Sequence, residues 1–184
     1  MAKVGISHVM YAEIENETDT AITYKAGKQL SPIVNFGGTP NASDVDDYGD
    51  NGVVESDKSV NSVSLSLEFN EMTMAEKGPL LGHKTNEAGE MVSNRDDVAP
   101  FVGIGAIGLS IRGGKNVYVC KWYPKAKFAE PNDDNTTKGE TTTFNHNTIE
   151  GKAYAPKSGD YKIEDEFDTE EEAITWLKAK ANIA

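Results

Sequence analysis

Residues 63–69 alternate strictly between apolar and polar side chains, in the order Val-Ser-Leu-Ser-Leu-Glu-Phe. Successive side chains of a β-strand point to opposite faces, so this run predicts a strand with one buried face and one solvated face. Turn-forming residues separate further runs rich in β-branched and aromatic residues, at 9–15, 20–25, 32–36, 101–112, 117–128, 141–153 and 160–167. The sequence therefore predicts a mainly β protein with an antiparallel β-sandwich or barrel-like sheet.

One capping signal follows the alternating strand. Thr73, with Glu76 three residues later, forms a capping box that predicts a short helix over about 73–82. Gly78 and Pro79 fall inside this range, and we expect them to break or kink the helix early.

A second helix is predicted at the C-terminal end, over about 169–181. Thr169 and Glu172 form its capping box, acidic residues fill its first turn, and lysines occupy its last turn. Its apolar positions share one face, so we expect this helix to pack on the sheet.

Length and charge narrow the function classes. The 184 residues carry 18 Lys and Arg against 30 Asp and Glu, a net charge of −12 that disfavours nucleic-acid binding by simple charge attraction. One domain spanning 1–184 is the expectation for this length. Cys120 is the single cysteine and cannot form an intrachain disulfide, and no apolar run is long enough to span a membrane. We expect synthesis in a reducing cytoplasm and no membrane partner.

The chain offers little for catalysis or cofactor binding. Residues 103–108 fit the dinucleotide pattern G-x-G-x-x-G, but no helix can follow them, so a buried strand is the better interpretation. There are three histidines, and neither a zinc spacing nor a nucleophile elbow is present. We predict no enzyme activity, cofactor or metal. An enzyme with an unrecognised carboxylate site and a carbohydrate-binding β-sandwich module stay open as alternatives.

Acidic residues concentrate in a glycine-containing segment at 37–57, which we interpret as a long mobile loop. Asp44, Asp46 and Glu55 fall at three ligand positions of a calcium loop, but Tyr48 occupies the fifth position, where an oxygen ligand is expected. A solvated or partner-facing loop is therefore favoured over a calcium site.

Basic residues are segregated elsewhere, over 112–127. Interleaved aromatic residues leave single-stranded nucleic acid open as a ligand. At a net charge of −12, contact with an anionic surface on another copy of the chain is favoured, which would give head-to-tail self-association. The predicted self-association patch consists of Arg112, Lys115, Lys121, Lys125 and Lys127.

An ordered series of segments resembles the major tail protein family of long-tailed, siphophage-type bacteriophages. The order of a glycine-started strand, a long loop, the alternating strand and a helix is similar in the first half. The segments that carry the resemblance in the second half are VYVCKWYPKAKFAEP at 117–131, TTKGET at 136–141, IEGKA at 149–153 and FDTEEEAITWL at 167–177.

The resemblance implies a structural subunit of the virion tail, assembled in the host bacterial cytoplasm. Such subunits form hexameric rings that stack into a hollow tube around a tape-measure protein, with tail terminator and distal tail proteins as further partners and DNA in transit through the lumen. Strands from six subunits close into one barrel. The alternative is the tube protein of a contractile secretion or injection system. By position, the 37–57 loop is the inter-subunit loop, with contact residues Asp44, Asp46, Asp47, Tyr48, Asp50, Glu55 and Asp57.

The charge of the lumen follows from the same resemblance. A cationic bore would hold DNA by counterion release, whereas an anionic bore would let DNA slide. We therefore hypothesise that some of the excess acids line the lumen, with Glu68 and Glu150 as the candidates on strand faces.

Overall fold

The computed structural model describes residues 2–43, 45–49, 52–57, 59–132 and 146–184. The helices in these ranges are α1 (Met74–Leu81) and α2 (Glu170–Lys180). The strands are β1 (Ala2–Glu17), β2 (Ile22–Tyr24), β3 (Lys28–Gln29), β4 (Ile33–Ala42), β5 (Val45–Gly49), β6 (Gly52–Asp57), β7 (Val60–Phe69), β8 (Lys84–Thr85), β9 (Met91–Val92), β10 (Val102–Arg112), β11 (Lys115–Phe128), β12 (Asn147–Tyr154) and β13 (Ile163–Phe167). The prediction of a mainly β protein with two helices is confirmed.

A nine-stranded antiparallel sheet contains most of the strands, in the order β2-β1-β10-β11-β12-β7-β4, with β13 paired to β11 and β3 paired to β1. The 14-residue strand β11 joins its two halves. Residues 118–122 of β11 pair with β13, and residues 126–128 pair with β12. One strand therefore belongs to both the β1–β10 half and the β12–β7–β4 half.

The apolar residues form two clusters on different parts of this sheet. The alternating run buries Val63, Leu65, Leu67 and Phe69 in the larger cluster, together with Leu80 and Leu81 of α1, while the intervening serines stay half-exposed. This confirms the strand with one buried face. The smaller cluster packs α2 against β1, β10 and β11 through Met10, Ile107, Cys120, Trp122, Ala173, Leu177 and Ala181.

Two glycines of the G-x-G-x-x-G pattern lie in β10 beneath Trp122. A methyl group at Gly103 would overlap the Trp122 ring. One at Gly105 would overlap the backbone carbonyl oxygen of Lys121 and lie 2.8 Å from the Trp122 ring and 2.9 Å from Leu177. The sequence interpretation as a buried strand with close approach is confirmed, because these glycines make room for the indole ring and α2.

Thr73 caps α1 through the predicted capping box with Glu76. The expected early break at residues 78–79 is wrong, since α1 contains Pro79 and ends only before Gly82, which has a left-handed backbone (φ 79°). A proline disfavours helical geometry in its predecessor partly by contact with the Cβ of that residue, and Gly78 has no Cβ. Burial of Leu80 and Leu81 stabilises the last turn.

The interpretation of 37–57 as a loop is corrected by the structure. Strand β4 continues to Ala42 in register with β7, and β5 and β6 then form an antiparallel hairpin. Packing explains why residue 38, in the middle of β4, is glycine. A Cβ at this position would lie 2.5 Å from the hydroxyl of Tyr123.

Candidate assembly surfaces

One face of the β4–β7–β12 ladder carries polar side chains, opposite the face that buries the larger cluster. Residues directly opposite each other on paired strands share a face. The register therefore builds this polar face from cross-strand rows, which are Asn35–Glu68–Thr148, Gly37–Ser66–Glu150, Thr39–Ser64–Lys152 and Asn41–Ser62–Tyr154. Hydroxyl-bearing side chains dominate the face, and its charges are few.

Both candidate lumen acids lie on the polar face. The Glu68 carboxylate is 3.0 Å from Nδ1 of His146, and Glu150 lines a shallow groove of about 640 Å³. Lys127 and Lys152 line the same groove. The polar face is therefore mixed in charge, with acids in two rows and lysines in the next.

Lys127 and Lys152 are register partners in the β11–β12 ladder. Within the part of the chain that the structure describes, neither lysine forms an ion pair. Lys127 belongs to the predicted self-association patch, whereas Lys152 does not. Period-two alternation over 148–154 places Lys152 on the polar face, but only the register reveals that it faces Lys127.

Two exposed aromatic rings lie beside this lysine pair. Phe101 and Tyr154 are 39% and 38% exposed, and their ring centroids are 6.2 Å apart in an edge-on contact. Nζ of Lys127 lies 5.3 Å from the Phe101 centroid, and Nζ of Lys125 lies 4.9 Å from it. Both cations are within the range of cation–π attraction.

The predicted basic patch is divided along β11. Lys115 and Lys127 are twelve residues apart, which corresponds to about 40 Å of strand. Three of the five cations face acids of their own chain: Arg112 Nη2 is 2.8 Å from Glu166, Lys121 Nζ is 3.7 Å from Glu164, and Lys125 Nζ is 2.6 Å from Glu17. The hydrogen bond from Lys125, with another from the backbone of Lys157, lowers the pKa of Glu17. The structure therefore spreads these cations over the end of β10 and the length of β11 and does not gather them into one surface.

The acidic segment forms a separate two-stranded sheet, β5–β6. A hydrogen bond of 2.9 Å from Ser43 N to Ser59 O connects the β4–β7 ladder to this hairpin. Asp46, Asp47 and Tyr48 belong to β5, Glu55 and Asp57 belong to β6, and Asp44 and Asp50 lie outside the described residues. Strands flank the near-calcium pattern, whereas the helix–loop–helix calcium motif has helices there.

Strand β4 ends the order of the main sheet, because it pairs with β7 and with no other described strand. It is ten residues long. Half of the backbone N–H and C=O groups of an edge strand point away from the sheet and can pair with another chain. Val34 of this edge strand is 44% exposed.

A charged network fixes the end of α1 to the end of β11. Nζ of Lys77 and Nε2 of His83 lie 2.9 Å and 2.7 Å from the Glu130 carboxylate, and Nδ1 of His83 lies 2.8 Å from Asp97. Hydrogen bonds with Asp97 and then Glu130 raise the pKa of His83.

Among the described residues, no group of three His, Cys, Asp or Glu side chains is placed to hold a metal ion. Burial, with a smaller contribution from Asp165, raises the pKa of the Cys120 thiol to about 11. No helix in the described ranges has the length and apolar character needed to cross a membrane.

Comparison with known proteins identifies one family. The family model described as phage tail tube protein matches residues 1–175 of the 184-residue chain. This is a family of structural phage tail proteins and not an enzyme family, and the match does not favour a contractile secretion or injection system. No curated protein matched the chain.

Proposed function

Because the chain belongs to the phage tail tube protein family, we propose that it assembles into hexameric rings that stack into a hollow tube through which the genome is ejected into the host cell. The family places the protein in the virion tail as a structural subunit. Assembly occurs in the host cytoplasm around a tape-measure protein, and the tube ends contact tail terminator and distal tail proteins.

The observation that carries this proposal is the unpaired edge of β4. A ten-residue edge strand favours aggregation of a monomer, because its free backbone groups can pair with any other strand edge. Pairing with the next copy around a ring, repeated until the ring closes, removes every such edge. The edge of β4 is thus the inter-subunit seam of the proposed barrel.

The polar face supplies the wall of the bore in this proposal. Closing the sheet into a barrel turns one of its faces inward, and the other face already buries the larger apolar cluster. Serine and threonine side chains on the polar face are short and uncharged, while Glu68 and Glu150 disfavour phosphate. Such a wall lets DNA slide, because few cations are available to release its counterions.

A matched pair of valine variants tests the seam. Val34→Lys places a charge on the β4 edge, and Val92→Lys places the same charge on the similarly exposed β9, away from the edge. Losing the burial of one valine at the seam is expected to raise the protein concentration needed for tubes by about tenfold. Negative-stain microscopy over a concentration series measures this value.

The wild-type protein and Val92→Lys should form rings or tubes with a central hole at the same concentration. A strictly monomeric wild-type particle at all concentrations would refute the tube function. Equal assembly by Val34→Lys and Val92→Lys would refute β4 as the inter-subunit seam but would not refute the tube function.

A further inference from the structure

A groove of about 490 Å³ opens where β1, β10 and β11 extend beyond the larger apolar cluster. Its floor includes the cross-strand row Ile6–Gly108–Val119, on the same face of the sheet as Ala106 of that cluster. The alternate residues, such as Ile107, belong to the smaller cluster under α2 on the opposite face. Val119 is only half-buried. The groove is therefore a continuation of the core that stays partly open to solvent.

Strand β4 forms one wall of this groove. Val34 and Phe36 lie along the wall, and Phe36 also packs against the larger cluster. Because β4 is the proposed inter-subunit seam, the groove faces the next copy in the proposed ring. An apolar side chain of that copy would be stabilised in the groove, since its entry removes apolar surface of both copies from water.

The segment 94–101 lies on the other side of the sheet half that contains β4, β7, β12 and the end of β11. Ala126 of β11 pairs with Ala153 of β12 on one side and with Val102 on the other. The residues just before Val102 therefore lie at the side of this half that is opposite β4. In a ring of identical subunits, that side of each copy meets the β4 side of the next copy.

Val98 is the most exposed residue of this kind in the segment. It is 70% exposed, the highest value among the large apolar residues that the structure describes. Its neighbour Asp97 accepts a hydrogen bond of 2.8 Å from the backbone of Asn94 and lies 2.8 Å from Nδ1 of His83. A Cβ at Gly82 would overlap the Val98 carbonyl, so the backbone of Val98 also packs closely. A side chain on a backbone that is already fixed loses little conformational entropy when an interface buries it.

We infer that Val98 of one copy inserts into the groove beside β4 of the next copy in the ring. The inference rests on the proposed assembly and assigns the second surface of the seam. One exposed valine is ordinary in a monomer, but this valine and an open apolar groove lie on opposite sides of the same chain. Two different surfaces that fit each other make a heterologous contact, which repeats from copy to copy and can close into a ring. Gly108 adds no side chain to the groove floor, which leaves room for the valine.

Cross-linking between cysteine variants tests this contact in the full-length protein. Val98→Cys and Val34→Cys, mixed in equal amounts and assembled, should form a covalent dimer with a short bismaleimide, whereas neither variant alone should cross-link. Lys3→Cys, on the β1 side of the groove, should also cross-link to Val98→Cys. Ala179→Cys, on the exposed side of α2, is the control and should not. The native Cys120 is buried and does not compete, and denaturing gel electrophoresis measures the products.

A polar substitution measures what the contact contributes to assembly. Val98→Asp should raise the critical concentration for assembly about tenfold or more, because it removes a buried valine and brings a carboxylate to an apolar groove. Val98 is exposed in the monomer, so the Tm of the monomeric variant should equal that of wild type, which distinguishes weak assembly from misfolding. Val92→Asp, on the exposed strand β9, is the matched control and should assemble normally. Sedimentation velocity over a concentration series provides the measurement.

Tubes in which Val98→Cys and Val34→Cys do not cross-link, or normal assembly by Val98→Asp, would overturn the inference and leave the tube function standing. Cross-linking of Val34→Cys to itself would show that two β4 edges meet as a symmetric pair, and it would also overturn the inference. If a different tail protein filled the groove, Val34→Cys would stay reactive toward maleimide in tubes of purified protein, with the same consequence. If wild type formed only short oligomers and no tubes, yet gave the expected cross-links, the tube function would fail and the inference would stand.

Discussion

Glu76 shows how one side chain stabilises two elements. Its carboxylate accepts hydrogen bonds from the backbone and hydroxyl of Thr73 at 2.9 and 2.8 Å, which closes the capping box of α1. It also accepts from the backbone and hydroxyl of Ser31 at 2.6 and 2.8 Å. Partial burial by itself raises the pKa of Glu76, but these hydrogen bonds outweigh burial and lower it. The ionised form therefore stabilises the fold.

Glu76→Gln is expected to lower the free energy of unfolding at neutral pH by about 1–3 kcal/mol, because hydrogen bonds to a charged acceptor are lost. A lowered pKa in the folded state gives stability that is present above pH 4.5 and is lost as pH falls through the folded value. Urea denaturation at neutral and acidic pH measures both effects. Glu71→Gln, exposed in the loop before α1, is the control, and equal stability of the two variants would contradict the prediction.

The sequence predicts the capping box, but it does not predict the contact between Glu76 and Ser31. Thr73 and Glu76 are three residues apart, so local geometry alone brings them together. Ser31 lies 45 residues from Glu76 and reaches it only through the tertiary fold. Likewise, alternation predicted which residues of 63–69 are buried, whereas the pairing of Lys127 with Lys152 depends on strand register. Local chemistry was predictable, and long-range placement required the structure.

His83 should make stability depend on pH in the opposite direction. Its raised folded-state pKa gives stability that is fully present below pH 6.5 and is lost as pH rises through the folded value. His83→Gln should therefore flatten the decline of the free energy of unfolding between mildly acidic and mildly alkaline pH. Urea midpoints across that range provide the measurement, with Asp97→Asn as a companion that weakens the same network. An unchanged slope in His83→Gln would show that other groups cause the decline.

At the scale of elements, the close approach of α2 to β10 depends on glycines, which have no side chain. A methyl group at Gly105 would meet the Lys121 carbonyl as well as Trp122 and Leu177, whereas one at Gly108 in the same strand would have only ordinary contacts, the nearest at 3.6 Å. The helix can lie close to the sheet because β10 presents bare backbone at Gly105. The glycine pattern signalled close approach in the sequence, but the identity of the approaching groups came from the fold.

Gly105→Ala is expected to destabilise the protein by about 1–3 kcal/mol through overpacking. Gly108→Ala is the matched control in β10, and we expect a change within about 1 kcal/mol. Thermal and urea unfolding of the two variants provide the comparison. If Gly105→Ala were as stable as Gly108→Ala, the close contacts of β10 with β11 and α2 at this position would not require glycine.

At the scale of the whole molecule, the two halves of the main sheet have different roles. The half covered by α2 buries Trp122 and holds Arg112 and Lys121 in ion pairs within the chain. The other half presents the polar face, the β4 edge and the root of the acidic hairpin. Net charge and composition predicted an acidic self-associating protein but could not divide these roles, because both halves share strand β11.

Cys120 is buried, and its thiol, with a pKa of about 11, is protonated at neutral pH. The wild-type protein should therefore be unreactive toward thiol reagents at neutral pH. A cysteine introduced at an exposed position would then be the single reactive thiol of the protein. Ser64→Cys on the polar face should react with a small maleimide in monomers, and in tubes it should resist a bulky polymer-linked one. Ala179→Cys on the exposed side of α2 should react with both reagents in both states. Labelling can thus report which side of the wall each residue faces.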